Sequence, residues 1–283
     1  MIVNTKEMLE KAKTEKYAVP HFNINNLEWT RYILEECEKE RTPVIIGVSE
    51  GALKYIGGPY TVVGIVKNLV KDLNITIPVA IHLDHGSSVD SCKNCIDAGF
   101  TSVMIDASKY DLDLNIQMVK EVVEYAHPKN VTVEAEIGHV GGAEDGEEME
   151  SAYAKLEDAI KLVNETHIDS LAPAIGSAHG IYKGIPKINY NLIRDVQLNT
   201  NLPLVLHGGS GIPDNIIKES IQCGINKLNI NTDLQVVWSK AVRIFLQENT
   251  EVYDPRKVIK SGEEAMKKMI ASKIALLGSA NRA

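Results

Sequence analysis

One feature constrains this chain more than any other. Short runs rich in Val, Ile and Leu are each followed by a longer segment with helical apolar spacing, and the pattern repeats along the chain. The runs fall at 18–22, 43–48, 78–84, 102–106, 131–137, 169–173, 203–207 and 225–230. The helical patterns fall at 26–40, 60–73, 88–98, 112–126, 154–165, 189–198, 214–222 and 234–247. Strands that always reach the next strand through a helix pair in parallel, with right-handed crossovers. Eight such units in about 250 residues are the size of a closed α/β fold, the (β/α)8 TIM barrel. A doubly wound open sheet is the alternative. Aromatic residues make up only 5% of the chain, so aliphatic side chains must build the core, as in a parallel sheet buried on both faces. Pro43, Pro78 and Pro203 stand at strand starts, and Gly99 and Gly224 follow helices as C-terminal caps should. An additional C-terminal helical segment is expected at 261–277, set off by Asp254-Pro255-Arg256. No linker divides the 283 residues, so 1–283 reads as one domain.

Charge narrows the partners. Thirty Lys and Arg against thirty-eight Asp and Glu give a net charge of -8, which disfavours nucleic acid and anionic membrane surfaces. No apolar run approaches the roughly 20 residues of a membrane-spanning helix. The first residues lack an apolar signal core, so a cytoplasmic location is expected. The four cysteines are too few for a disulfide scaffold. Cys92-Lys-Asn-Cys95 has the spacing of a redox or zinc half-site, but it falls within a predicted helix and has no second pair. Packing or exposed thiols are the better reading.

A barrel of this kind carries its active site at the C-terminal ends of the strands. Reactive residues collect at those ends: His21 and Asn23, Ser49, His82 to His85, Asp106, Glu134 and Glu136, then His179, His207 to Gly211, and Asn229 to Asp233. His85, His179 and His207 come from strands three, six and seven. Their side chains can converge over the mouth, and three protein ligands with an open fourth position mark a catalytic Zn²⁺ site. His127 and His167 lie at helix ends and carry no expected chemistry. Asp84 and Glu136 share the inward face by strand alternation, as proton-transfer or orienting groups. Glu134 and Lys227 have the same parity and read as a buried ion pair. Lys227 is also the rival nucleophile, because an inward Lys could form a Schiff base.

Two long connections interrupt the pattern. Residues 138–153 are rich in glycine and acid, with little to bury, and read as a mobile loop. Residues 174–188 carry His179, Gly180 and Lys183. The run His207-Gly208-Gly209-Ser210-Gly211 follows strand seven, where barrels of this type commonly hold a phosphate on backbone N–H groups. Asn231 and Thr232, after strand eight, would complete that cradle.

These stretches together resemble the class II, metal-dependent fructose-bisphosphate aldolases, including the closely similar tagatose-bisphosphate aldolases. The resemblance rests on Ile81-His-Leu-Asp-His-Gly86, on Val133-Glu-Ala-Glu-Ile-Gly-His-Val-Gly-Gly-Ala-Glu144 and on Leu171-Ala-Pro-Ala-Ile-Gly-Ser-Ala-His179. It continues through Leu206-His-Gly-Gly-Ser-Gly-Ile-Pro213, Asn229-Ile-Asn-Thr-Asp233, Tyr253-Asp-Pro-Arg256 and Gly278-Ser-Ala-Asn-Arg282, so it covers nearly the whole chain. It implies one catalytic Zn²⁺ on His85, His179 and His207, with Glu136 at the position of a second or displaced metal. It implies that Asp84 exchanges a proton with the C4 hydroxyl and Glu144 with C3. Gly180, Gly208, Gly209, Ser210, Asn231 and Thr232 correspond to the triose phosphate cradle, with Lys183 nearby. Asn23 and Asn229 correspond to substrate contacts. Ser49 and Arg256 correspond to binders of the far phosphate, with Arg256 reaching across a subunit interface. That implies a homodimer or homotetramer, and some members also use a monovalent cation. The implied reaction is the reversible cleavage of a ketose bisphosphate to dihydroxyacetone phosphate and glyceraldehyde 3-phosphate through a zinc-stabilised enediolate. Asn231 favours fructose over tagatose bisphosphate.

Overall fold

The structure, a computed structural model, describes residues 1–144, 147–149, 153–180, 182 and 184–283, with the backbone alone at 142–144 and 147–149. Its strands are β1 (Val19–Asn23), β2 (Val44–Ser49), β3 (Val79–Gly86), β4 (Ser102–Ile105), β5 (Thr132–Ile137), β6 (Gly141–Glu144), β7 (Glu147–Met149), β8 (Ser170–Pro173), β9 (Ala178–His179), β10 (Leu204–Leu206) and β11 (Ile225–Ile230). Its helices are α1 (Lys6–Glu15), α2 (Leu27–Lys39), α3 (Glu50–Ile56), α4 (Pro59–Asp72), α5 (Val89–Ala98), α6 (Leu112–Ala126), α7 (Leu156–Thr166), α8 (Tyr190–Thr200), α9 (Asp214–Cys223), α10 (Thr232–Glu248), α11 (Pro255–Lys260) and α12 (Glu263–Leu277).

Eight parallel strands close in the order β1-β11-β10-β8-β5-β4-β3-β2. The fold is the (β/α)8 barrel, and the open-sheet alternative falls away because β1 pairs with both β2 and β11. The outward faces of the strands meet the helices in one aliphatic cluster that includes Ile46, Ile81, Val133, Leu171 and Leu228. Gly99 and Gly224 cap α5 and α9 as their positions indicated.

The barrel interior is layered. At the N-terminal end of the strands, Val19, Ile45 and Ala80 form a small apolar cluster with Met8, Leu9 and Ala12 of α1. Helix α1 therefore stoppers the barrel floor, a role not read from its weakly apolar sequence. The next layer is polar. His21, His82, Glu134 and Lys227 are buried there, and such groups need partners. Lys227 Nζ lies 2.8 Å and 3.0 Å from the two oxygens of Glu134, as the inward parity predicted. Gly47 makes room for this layer: a Cβ there would lie 1.9 Å from Nε2 of His21.

Other expectations are corrected. Within 138–153, expected as a mobile loop, the described residues 141–144 and 147–149 form strands. β6 pairs antiparallel with β7 and parallel with β9, so the connections after strands five and six share a small sheet. That sheet satisfies backbone groups, which is why a glycine-rich, core-poor stretch can still be regular. Asp254-Pro255-Arg256 is not a plain break. Asp254 caps α11, accepting from Arg256 N–H at 3.0 Å, with Pro255 at the first helical position. Helix α12 buries Met266, Ile270, Ile274 and Leu277 in the main core, and its Lys273 reaches Asp233 at the start of α10 (2.5 Å). Among the described residues, no helix is long and apolar enough to cross a membrane.

Candidate active site

β3 delivers two neighbours, Asp84 and His85, to the same place. Adjacent residues of a regular strand point to opposite faces, yet Asp84 Oδ1 and His85 Nε2 are 4.0 Å apart. A bulge resolves the conflict. From Leu83 to Gly86 the strand advances three residues while its partner β4 advances two, from Val103 to Ile105. The extra residue re-aims a side chain. His85 takes the left-handed backbone conformation there (φ 50°), a costly choice for a non-glycine residue and one that concentrates at functional sites.

Asp84 is gripped by two amides. Asn23 donates to Oδ2 at 2.8 Å and Asn229 donates to Oδ1 at 3.0 Å. His85, His179 and His207 converge beside it, with ring centroids 4.5–5.9 Å apart. Each can offer one nitrogen so that all three lie within 4.8 Å of one another. Carboxylates hold the far edges of two of them. Asp106 Oδ2 lies 2.8 Å from Nδ1 of His85, and Glu134 Oε1 lies 2.9 Å from Nε2 of His207. His85 Nε2 and His207 Nδ1 then face each other at 2.8 Å. Carboxylate-held imidazoles whose other nitrogens converge are the arrangement of metal ligands, so the donor set fits one divalent ion.

The electrostatics agree. Burial, and next the neighbouring His85, lower the pKa of His207 and keep its imidazole neutral. Burial opposes ionisation of Glu134, but the Lys227 ammonium and the His207 hydrogen bond outweigh it and hold the carboxyl well below its usual range. Burial likewise disfavours the charge on Asp106, and its bonds to His85 and Ser108 overcome that. Glu136 moves the opposite way. Burial and then the charge of Asp106 raise its pKa well above the usual range. Its Oε1 accepts from Val140 N–H (3.1 Å), while the buried Oε2 has no hydrogen-bond partner among the described residues. With His85 and Asp106 it forms a second group of converging ligand atoms.

A cavity of about 180 Å³ opens beside the imidazoles, lined by Asn23, Asp84, His179, Gly180, His207, Gly208, Ser210, Asn229, Asn231, Thr232 and Gln235. Ser210 Oγ accepts from the N–H groups of Asn231 (3.3 Å) and Asp233 (3.1 Å), joining the glycine-rich loop to the first turn of α10. Gly209 does not line the cavity and packs against Leu228 and Asn229. Nor do Ser49 and Arg256 line it. Ser49 caps α3, accepting from Ala52 N–H at 3.3 Å. Arg256 is 89% exposed and paired with Asp254 at 2.9 Å. Lys183 and the side chain of Glu144 lie outside the described residues. Lys227 is fully buried away from the cavity, its ammonium engaged by Glu134. His21 and His82 sit inside the barrel rather than at its mouth, with rings edge to face at 5.4 Å. Cys92 and Cys95 are buried in α5, where burial raises both thiol pKa values, that of Cys95 to about 12.

Three residues at the site were not assigned roles from the sequence. Asp106 stood at a strand end beside the motifs. Gln235 lies one helical turn beyond Asn231, a spacing that puts both on one face. Tyr182 carries no signal in the sequence.

Fold and site together define a parallel barrel that gathers a candidate metal-ligand set beside a polar cavity at its mouth. Comparison with known proteins names the family: the model of "Fructose-bisphosphate aldolase class-II" matches residues 3–282, and the chain belongs to that family of metal-dependent enzymes. It is 52% identical over 283 residues to a fructose-bisphosphate aldolase of Geobacillus stearothermophilus and 53% identical to one of Staphylococcus aureus strain Mu50, covering 100% of this chain and 99% of each relative. Among solved structures it resembles the YdjI aldolase of Escherichia coli K12, with TM-score 0.87, 32% identity and full coverage of both chains. A putative fructose-1,6-biphosphate aldolase of Coccidioides immitis superposes with TM-score 0.88 at 25% identity, covering 98% of this chain and 96% of that one.

Proposed function

We propose that this chain, acting as one domain over 1–283, catalyses the reversible aldol cleavage of fructose 1,6-bisphosphate to dihydroxyacetone phosphate and glyceraldehyde 3-phosphate. The observation that carries the reading is the juxtaposition of Asp84, fixed by two amides, with three convergent imidazoles at one end of a polar cavity. His85, His179 and His207 would hold Zn²⁺, and Glu136 with Asp106 would serve a second or displaced divalent ion. Bound there, the metal supplies Lewis-acid polarisation of the substrate carbonyl and charge stabilisation as the C3–C4 bond breaks.

The chain's own residues do the rest. Asp84 accepts the proton of the C4 hydroxyl, and its two amide donors keep both oxygens in place for that transfer. In the condensation direction it returns the proton. Glu144, at the end of β6, is assigned the proton at C3. Gly180, Gly208, Ser210, Asn231 and Thr232 surround one phosphate with backbone and hydroxyl donors at the start of α10. Lys183 is assigned to that phosphate as well, and Asn23 and Asn229 to the triose. Ser49 and Arg256 are assigned to the far phosphate. Arg256 stands exposed on α11, beside an apolar groove that includes Ala241, Ile244 and Phe245. This fits its use by a second copy, so the working form is a homodimer or homotetramer. Four buried free thiols suit a reducing compartment, and the cytoplasm is the assigned location.

Turnover of fructose and tagatose 1,6-bisphosphates, with and without a chelator, tests the reading. Fructose bisphosphate should be cleaved preferentially, activity should vanish with EDTA, and Zn²⁺ should restore it. Activity that survives EDTA and is lost to borohydride with substrate would replace it by Schiff-base chemistry at Lys227. Preferential cleavage of tagatose bisphosphate would revise the substrate and keep the mechanism.

A further inference from the structure

We infer that Tyr182 is a positioning residue whose single hydroxyl sets the spacing between the segment carrying His179 and the segment carrying His207. The inference rests on the metal and phosphate reading above. Oη accepts from the backbone N–H of Ala178 at 2.8 Å and donates to the backbone C=O of Gly208 at 2.9 Å. Ala178 immediately precedes one proposed metal ligand, and Gly208 immediately follows another. Both also adjoin the phosphate cradle, since Gly180 and Gly208 line the cavity.

The two segments meet backbone to backbone. Gly208 has φ +66°, and a Cβ there would lie 2.2 Å from Ala178 O, so nothing larger than hydrogen fits between them. Such an approach buries peptide groups that need hydrogen bonds. Tyr182 supplies one acceptor and one donor at once, to a backbone group of each segment. β9 itself is only two residues long and, among the described residues, pairs with β6. The hydroxyl thus links the His179 segment directly to the barrel segment that carries His207. Burial raises its pKa to about 12, so it remains a donor throughout the neutral range.

Tyr182→Phe keeps the ring and removes both bonds. Two quantities are read: Zn²⁺ affinity of the purified protein by competition with a chromogenic chelator, and KM and kcat for fructose 1,6-bisphosphate at saturating Zn²⁺. Zn²⁺ affinity should fall about tenfold, in the range seen when an outer partner of a metal ligand is lost. KM should rise severalfold with a smaller change in kcat. 4-Aminophenylalanine at position 182, which restores a para donor, should recover part of both losses. Wild-type affinity and KM in Tyr182→Phe would overturn the inference, leaving the ring as packing. A change in only one quantity would overturn it too, because a bridge between two segments must be felt by both. If Tyr182→Phe does not fold, a 4-aminophenylalanine variant whose losses of affinity and KM are smaller than those expected for Tyr182→Phe supports the bridge, and one that shows those losses in full overturns it. A wild type that binds Zn²⁺ but cleaves neither bisphosphate sinks the aldolase reading instead, and the affinity arm still decides the role of Tyr182.

Discussion

Glu134 Oε1 stands 2.9 Å from Nε2 of His207, on the edge of the imidazole that faces away from the cavity. With Nε2–H donated to the carboxylate, the lone pair of Nδ1 is the one presented to the mouth. Glu134→Gln weakens that control and leaves Lys227 buried beside a neutral amide. Metal affinity should fall 10- to 100-fold. Stability should fall by about 3–5 kcal/mol, the range for breaking a buried pair. Chelator competition and urea unfolding measure the two separately, and an unchanged metal affinity would show that His207 is oriented by packing alone.

Asp84→Asn preserves shape and both amide neighbours while removing the base. Cleavage should fall by a factor of about 10² to 10⁴, with Zn²⁺ content at the wild-type level. A variant that turns over normally would assign the C4 proton to another group.

Gly47→Ala places a methyl group 1.9 Å from the buried His21 ring. The ring has no exposed space to enter, so the interior must shift at a cost of about 1–3 kcal/mol. Thermal unfolding checks this; a melting temperature equal to wild type would mean the polar layer repacks freely.

Tyr17 is buried, and its Oη has no hydrogen-bond partner among the described residues. Burial, then the charge of Glu15, raises its pKa from 10 to about 12. The raised value fixes the sign. Below pH 10 both folded and unfolded chains keep the proton; above it the unfolded chain ionises first, so stability falls as pH climbs from 10 to 12, by about 2–3 kcal/mol. Tyr17→Phe should lose that component of the alkaline decline without destabilising the protein at pH 7. Urea titrations at pH 7 and pH 10.5 give the comparison.

All four cysteines are buried, and none is paired. Cys92 and Cys95 should resist a thiol reagent in the native protein at pH 7 and react on unfolding. Rapid native labelling of that pair would revive a redox role.

Most barrel strands were legible because they are short apolar runs flanked by proline or glycine, and the three histidines because they stand at or shortly after strand ends. What escaped was set by tertiary context. Helix α1 has only Met8, Leu9 and Ala12 to bury, too few to announce a helix that closes a barrel. The β6–β7 hairpin arises from backbone pairing in a stretch whose side chains argue against order. Simple alternation cannot send Asp84 and His85 to one side; the bulge that does so is a property of pairing with β4. Asp106 and Tyr182 act through partners far away in sequence, His85 and Gly208, which no local pattern links to them.

The stopper at the barrel floor has a consequence for traffic. Below the mouth, Lys227, Glu134 and His207 form a continuous hydrogen-bonded column. Met8, Leu9 and Ala12 seal its lower end against Val19, Ile45 and Ala80. Glu134 and Lys227 are 1% and 0% exposed, so the rear of His207 is shielded by buried groups while its front lines the cavity. Among the described residues helix α1 thereby makes the site one-sided: the floor is closed by apolar side chains and the cavity opens at the mouth.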